Sequence, residues 1–343
     1  MLGLGFRSIP SDGTGSWRLC CLASRRGALP PAFSCIPPAV LGAREFTRRL
    51  TPASLRMTAT QKPSTHVDLD ECMRVALEAA TAAGSIIREA WDKPRQVHLK
   101  TSVDLVTETD KQCEEEIYSR LRAAFPDHAF IGEEGSASQG FTAELTDAPT
   151  WLVDPVDGTT NFVHRYPFTC VSIGLAVGGA PVLGVVANPI LGEVYRAMRG
   201  GGAFLNNEPI HVSATPDLQS ALFATELGIR RDDAFLDAAF ARIRELLRGA
   251  RSVRCGGSCA LNLCSVAQGR LDAFFELGLG GPWDMAAGAV ILEEAGGKVL
   301  DPAGGPFNVM SRRVLGTNGH LAAQVSSILA ACPLAEGEPR PLD

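Results

Sequence analysis

Residues Trp151 to His164, WLVDPVDGTTNFVH, place Asp154 and Asp157 three positions apart around Pro155, after a run of apolar residues. Two carboxylates packed together raise each other's pKa and resist ionisation unless a cation separates them. Hard oxygen ligands of this kind suit Mg²⁺, which keeps waters and takes only a few carboxylates per ion. Directly after the second aspartate, Gly158-Thr159-Thr160-Asn161 offers backbone N–H groups at what reads as a helix start, where a phosphate can be held. Phosphoryl transfer to water needs that combination: ions on the phosphate oxygens, a lowered pKa for the attacking water, and a group to orient it. The stretch therefore points to a metal-dependent phosphate-ester hydrolase.

Other acidic residues share the same grammar, each following an apolar strand-like run or opening a helix. They are Glu133-Glu134 after AFIG, Glu276 after DAFF, and Asp284 after Gly-Gly-Pro-Trp. Any one of them alone reads as a solvated loop or cap residue; their joint occurrence favours a shared cleft. Pro155 fixes its own φ and donates no hydrogen bond, so the chain is expected to leave the strand there in a turn that sets Asp154 and Asp157 on one side. A zinc or redox reading would use Cys255, Cys259 and Cys264, but no histidine lies near them and the spacing fits no common finger, so they read as small buried hydrophobes. His164 reads as a structural hydrogen-bonding residue, Trp151 and Trp283 as packing, and Arg242, Arg244 and Arg248 as a solvated helix face.

Positioning these side chains requires a mixed scaffold. Asp68 to Trp91 carries apolar residues at helical spacing, as does Asp110 to Phe125 before Pro126. Short strands are expected at 128–131, 150–153, 170–177, 182–188, 193–199 and 203–205, forming a largely antiparallel sheet. Helices over 235–247, 258–267 (Ser258 as N-cap), 283–295 and from Leu321, with strands at 271–276, 298–301 and near Val314, complete an α/β half. No internal repeat is visible.

The chain has 343 residues, 45% of them hydrophobic, enough for one large domain or two joined halves. Residues 1–56 contain arginines, no lysine and only Asp12 and Glu45 as acids, so the remainder is more acidic than the formal charge of −6. An acidic body does not suit a nucleic-acid backbone, which leaves small substrates or metal ions as partners. The leader reads as a transit peptide for a chloroplast or mitochondrion; as a plain extension, or with a start at Met57, it would imply the cytoplasm. No leader run is long enough to span a bilayer, and no membrane partner is expected. The ten cysteines lack the pairing of a disulfide scaffold. The expected organisation is the leader 1–56, a phosphatase domain over 57–333 with halves of about 67–206 and 207–332, and a disordered tail at 334–343.

WLVDPVDGTTNFVH, the upstream IGEE and WDMAAGAVILEEAGG (Trp283 to Gly297) resemble the three signature blocks of the inositol monophosphatase family. The resemblance runs from about residue 68 to about 330 and includes KTSVDLVTETD, GGAFLNNEPI and GSCALNLCSVA. ELGLGGPWD and GSCALNLC are most similar to the plant and algal branch, in which related enzymes also hydrolyse L-galactose 1-phosphate. The resemblance implies an α/β fold, a layered αβαβα sandwich of the inositol monophosphatase/fructose bisphosphatase type, usually a homodimer and inhibited by Li⁺. It implies that Glu133, Asp154 and the carbonyl of Val156 bind a first, water-activating Mg²⁺, and Asp154, Asp157 and Asp284 a second. A third, weaker ion would sit near Glu133, with Glu134 less directly involved. Thr159, paired with Asp110, would orient the water; the N–H groups of Gly158 and Thr159 would hold the phosphate. Glu276 and Gly257-Ser258-Cys259 would contact sugar or inositol hydroxyls.

Two departures from the animal-type pattern touch no proposed metal ligand. The Glu276–Asp284 segment is one residue longer, with Gly-Gly-Pro before the tryptophan, and Lys100 precedes Asp104 with one residue fewer. Histidinol phosphate, a 3′-phosphonucleotide or fructose 1,6-bisphosphate remain alternative substrates within the class. A non-catalytic metal- or phosphate-binding module is the alternative outside it.

Overall fold

The computed structural model describes residues 67–93, 97–99, 105–139 and 144–342; the leader, Met57, Lys100 and Asp104 lie outside the described residues. The first elements are α1 (Leu69–Ala90), β1 (Val97–Leu99), β2 (Leu105–Thr107), α2 (Glu108–Ala124), β3 (Ala129–Gly132) and α3 (Glu133–Gln139). Next come β4 (Thr150–Asp157), α4 (Thr159–His164), β5 (Cys170–Val177), β6 (Ala180–Asn188), β7 (Glu193–Met198), β8 (Ala203–Leu205) and β9 (Glu208–Pro209). The chain continues with β10 (Leu222–Thr225), α5 (Asp233–Leu247), β11 (Ser252–Arg254), α6 (Cys259–Ala267) and β12 (Ala273–Leu277). It ends with α7 (Trp283–Glu294), β13 (Lys298–Leu300), β14 (Arg313–Thr317) and α8 (Ala322–Ala331).

These elements stack as the expected αβαβα sandwich. Helices α1 and α2 cover one face of a seven-stranded sheet, in the order β3-β4-β5-β6-β7-β8-β9. Helices α6 and α7 fill the space between it and a five-stranded sheet, β11-β10-β12-β14-β13, whose other side is covered by α5 and α8. The first sheet is antiparallel apart from the parallel β3–β4 pair.

Sequence accounts for the layers. In α1 the residues Met73, Ala76, Ala80, Ala83 and Ile87 are buried at three-to-four spacing, Asp68 accepts from the Glu71 N–H at 3.1 Å, and Arg74 pairs with Glu71 and Glu78 on the solvent side. Helix α7 is apolar on nearly every side because it lies between two sheets. It can press on the first sheet because two sheet positions lack side chains. A Cβ at Gly184 would lie 2.3 Å from the Ala287 carbonyl oxygen, and one at Gly174 would lie 2.8 Å from the Ala286 Cβ. That contact sets the depth at which Asp284, in the first turn of α7, meets β4 and β5.

Several expectations need correction. Strand β4 does not end before Pro155 but runs to Asp157, with a bulge between Asp154, opposite Ser172, and Asp157, opposite Cys170. A bulge absorbs the missing proline N–H without ending the strand, and Asp154 Oδ1 accepts the Val156 N–H at 3.0 Å. Strands β9 and β10 and helix α3 had no clear sequence signal.

The tail is not loose over its described length, because Glu338 is buried against Arg242. That arginine is buried too, rather than solvated, and it also donates to the Pro333 carbonyl at 3.2 Å. Arg313 donates to the Pro339 carbonyl at 2.7 Å and pairs with Asp301. Of the cysteine cluster, Cys259 and Cys264 are buried, but Cys255 is exposed. No helix among the described residues is long and apolar enough to cross a membrane.

Candidate active site

A cavity of ≈ 440 Å³ opens where the ends of both sheets and the starts of α4, α6 and α7 converge. Its lining includes Glu133 at the start of α3, Asp154, Val156 and Asp157 on the bulged end of β4, and Gly158 and Thr159 at the entry to α4. The opposite side brings Gly257, Ser258 and Cys259 at the start of α6, Glu276 on β12 and Asp284 on α7. Every catalytic, metal, phosphate or substrate residue expected from the sequence reaches this cavity except Asp110, which lies behind it. The bulge is what allows Asp154 and Asp157 to share one side: in a regular strand, residues three apart point to opposite faces.

The electrostatics are severe. Burial, then the charges of Glu133, Asp157 and Asp284, hold the Asp154 carboxyl well above the usual carboxylate range, and it also shares a hydrogen bond with Glu133. Burial lifts Asp284 likewise, aided by Asp157 and Glu133 and opposed by the N–H groups of Gly280 (2.9 Å) and Gly281 (3.3 Å). Asp157 is pushed up to about 6 by burial, against the Ser258 hydroxyl at 2.6 Å and the Ala260 N–H at 2.8 Å. Glu276 is raised by burial and then by Glu226, Asp284 and Asp157, and its Oε2 is buried without a hydrogen-bond partner.

Behind the cavity, Asp110 closes a capping box at the start of α2. Its Oδ2 accepts from the Thr107 N–H at 2.9 Å and from the Thr107 hydroxyl at 2.5 Å. Its Oδ1 faces the Thr159 hydroxyl at 3.0 Å, which is also 3.1 Å from the Val156 carbonyl. Burial raises Asp110 to about 6, opposed by the Thr107 contacts. Thr159 has one hydroxyl proton and two acceptors for it, so its lone pairs remain available to a donor in the cavity.

Three features escaped sequence reasoning. Glu226, just past β10, lines the cavity and accepts from Gly256 N–H (2.7 Å), Gly257 N–H (2.8 Å) and Asn262 Nδ2 (2.7 Å). It follows the apolar run LFAT, the same grammar as the other acids, but a strand that short gave no periodicity to read. Arg231 and Arg312 are at the cavity wall, where they donate to the backbone carbonyls of Gly228 and Arg230, and of Leu279. His164, expected to make a structural hydrogen bond, is exposed and makes none among the described residues.

Divalent cations fit this donor set. The available atoms are hard carboxylate and carbonyl oxygens, they repel one another, and among the described residues no cationic side chain pairs with Asp154, Asp157, Glu276 or Asp284. As these side chains are placed, no group of three or more acidic, histidine or cysteine side chains among the described residues is arranged to hold a metal ion. Several carboxylate oxygens are held instead by hydroxyl and N–H donors of the chain itself.

Known proteins resemble the chain over most of its described length. The profile of the inositol monophosphatase family matches residues 68–333. Inositol monophosphatase 2 of Solanum lycopersicum is 55% identical over 253 residues, 74% of this chain and 96% of that protein. Inositol monophosphatase 1 of Homo sapiens is 43% identical over 270 residues, 77% of this chain and 96% of the human one. Among solved structures, the inositol monophosphatase of Anabaena (Nostoc) superposes with a TM-score of 0.66 at 34% identity, covering 78% of this chain and 98% of its own. The residues that line the cavity fall within the matched range, and the chain belongs to the inositol monophosphatase family of metal-dependent phosphoric monoester hydrolases.

Proposed function

We propose that the chain is a Mg²⁺-dependent phosphomonoesterase that hydrolyses myo-inositol monophosphate to inositol and phosphate. The observation that carries this reading is the set of buried, mutually repelling carboxylates beside the Gly158-Thr159 entry to α4. Glu133, Asp154, the Val156 carbonyl, Asp157 and Asp284 would hold two Mg²⁺ ions, with a third, weaker one near Glu133. When bound, such ions neutralise phosphate oxygens and lower the pKa of water.

The chain's own residues do the rest. Asp110, anchored by the capping box, accepts the hydrogen bond of the Thr159 hydroxyl and leaves that hydroxyl's lone pairs to accept from the attacking water. The N–H groups of Gly158 and Thr159, at a helix start without a side-chain cap, donate to the phosphate. Glu276, with its unpartnered Oε2, accepts from a polyol hydroxyl, and Gly257, Ser258 and Cys259 line the polyol end. Attack is direct, by water held at Thr159, without a covalent phosphoenzyme. The working form is a homodimer and is inhibited by Li⁺, as the family resemblance implies.

The test is phosphate release from myo-inositol 1-phosphate, L-galactose 1-phosphate and histidinol phosphate at matched Mg²⁺, with and without Li⁺. Turnover of inositol 1-phosphate, with L-galactose 1-phosphate second, is expected. No release from any of the three overturns the proposal, and a clear preference for histidinol phosphate overturns its substrate.

A further inference from the structure

The turn Gly256-Gly257 is gripped from two sides by residues far apart in the chain. Glu226 Oε1 accepts both of its N–H groups, at 2.7 and 2.8 Å, and Asn262 Nδ2 at 2.7 Å. From the other side Asn161 Nδ2, on α4, donates to the Gly256 carbonyl at 2.8 Å and approaches the Gly257 carbonyl at 3.3 Å; it also donates to the Phe168 carbonyl at 2.7 Å. The approach leaves no room for side chains. A Cβ at Gly257 would meet Asn161 Nδ2 at 2.8 Å, one at Gly158 would meet the Gly257 carbonyl at 2.9 Å, and both glycines have positive φ.

The grip matters because the chain passes from this turn directly into the metal-binding cleft. Ser258, the next residue, caps α6 by accepting the Leu261 N–H at 3.2 Å and donates its hydroxyl to Asp157 Oδ2 at 2.6 Å. The Ala260 N–H reaches the same oxygen at 2.8 Å. Asp157 Oδ2 is thus held by the start of α6, and Oδ1 is the oxygen left for a ligand.

We propose that Glu226 and Asn161 are positioning residues: they clamp the Gly256-Gly257 turn from opposite sides, and the clamp aims Asp157 by fixing Ser258 and the first turn of α6. The inference rests on the reading of Asp157 as a divalent-ion ligand. It concerns the acceptor at Oε1, not the charge of Glu226, because the turn asks only for a hydrogen-bond acceptor at that point. Groups that orient a metal ligand typically cost ten- to a hundredfold in metal affinity when removed.

The experiment measures Mg²⁺ affinity by calorimetry on the EDTA-stripped full chain, with urea stability measured alongside. Glu226→Ala is expected to weaken Mg²⁺ binding by about tenfold or more, and Asn161→Ala to do the same. Glu226→Gln, whose amide oxygen accepts from the same donors, is expected to stay within about threefold of wild type, a rescue that a charge effect would not give. Wild-type affinity in either alanine variant overturns the clamp, and so does a Gln variant as weak as Ala. Should Glu226→Ala fail to fold, Asn161→Ala and Glu226→Gln carry the same two criteria. A wild-type chain that binds Mg²⁺ yet releases no phosphate from inositol 1-phosphate would sink the proposed function while leaving the clamp standing. A wild-type chain with no Mg²⁺ affinity would overturn both.

Discussion

At the C-terminal end Arg242 on α5 meets Glu338 and Arg313 on β14 meets Asp301, all four buried, each cation against an anion. In the cavity Asp154, Asp157 and Glu276 are buried too, with Asp284 half-buried beside them, but their charged neighbours are other carboxylates. The first arrangement is closed: desolvation of each ion is offset by its partner and by hydrogen bonds to the Pro333 and Pro339 carbonyls. The second is open, because among the described residues no cationic side chain pairs with Asp154, Asp157, Glu276 or Asp284, so neutrality comes from protons or from bound metal. Removing a charge should therefore have opposite consequences in the two regions.

The largest effect is expected at Asp154. Asp154→Asn should lower kcat/KM for inositol 1-phosphate by about a thousandfold or more, while urea unfolding in EDTA shows no loss of stability, since a buried like charge has been removed. Near-wild-type turnover would show that the open region is not the reaction centre.

Arg242→Ala should do the reverse. It strands Glu338 in the interior and should cost roughly 3–5 kcal/mol of unfolding free energy, measured by urea denaturation, with the surviving folded protein still active at low temperature. An unchanged denaturation midpoint would break the contrast.

Thr159→Val is expected to reduce kcat by about a hundredfold with little change in Mg²⁺ affinity, because in the proposed mechanism the hydroxyl orients the water and is not a metal ligand. An equal loss in Mg²⁺ affinity would reassign it. Proton linkage gives the smallest effect. Burial raises Asp157 from 3.8 to about 6, and Asp110 likewise, so across that window the native state holds more protons than the unfolded chain. In EDTA this contribution to stability is present below about pH 4 and is lost as pH rises through about 6. On the proposed reading Mg²⁺ would displace the Asp157 proton, so the stabilisation it gives should be larger at pH 7.5 than at pH 5, and equal shifts at the two pH values would contradict the linkage.

How much of this was legible depended on whether the physics was local. The helical spacing of α1, the apolar runs of the central strands and the apolar α7 block arise from residues close in sequence, and so does the Ser258 cap. Of the acids gathered in the cavity, Glu133, Asp154, Asp157 and Glu276 were legible because each follows an apolar run within its own segment, and Asp284 because it opens a helix. Arg242 was misread because the acid that buries it stands 96 positions away, in a Pro-rich tail that has no periodicity of its own. Pro155 was misread because a bulge depends on the neighbouring strand, which local propensity cannot report. Glu226 stayed hidden because β10 is short and its value lies in donors 30 to 36 positions further on.

The most direct test of the open region is hydrolysis of myo-inositol 1-phosphate by the EDTA-stripped chain as Mg²⁺ is returned. The account predicts no phosphate release without the ion and saturable recovery as it is restored, with Asp154→Asn remaining inactive throughout. Full turnover in excess EDTA would contradict it.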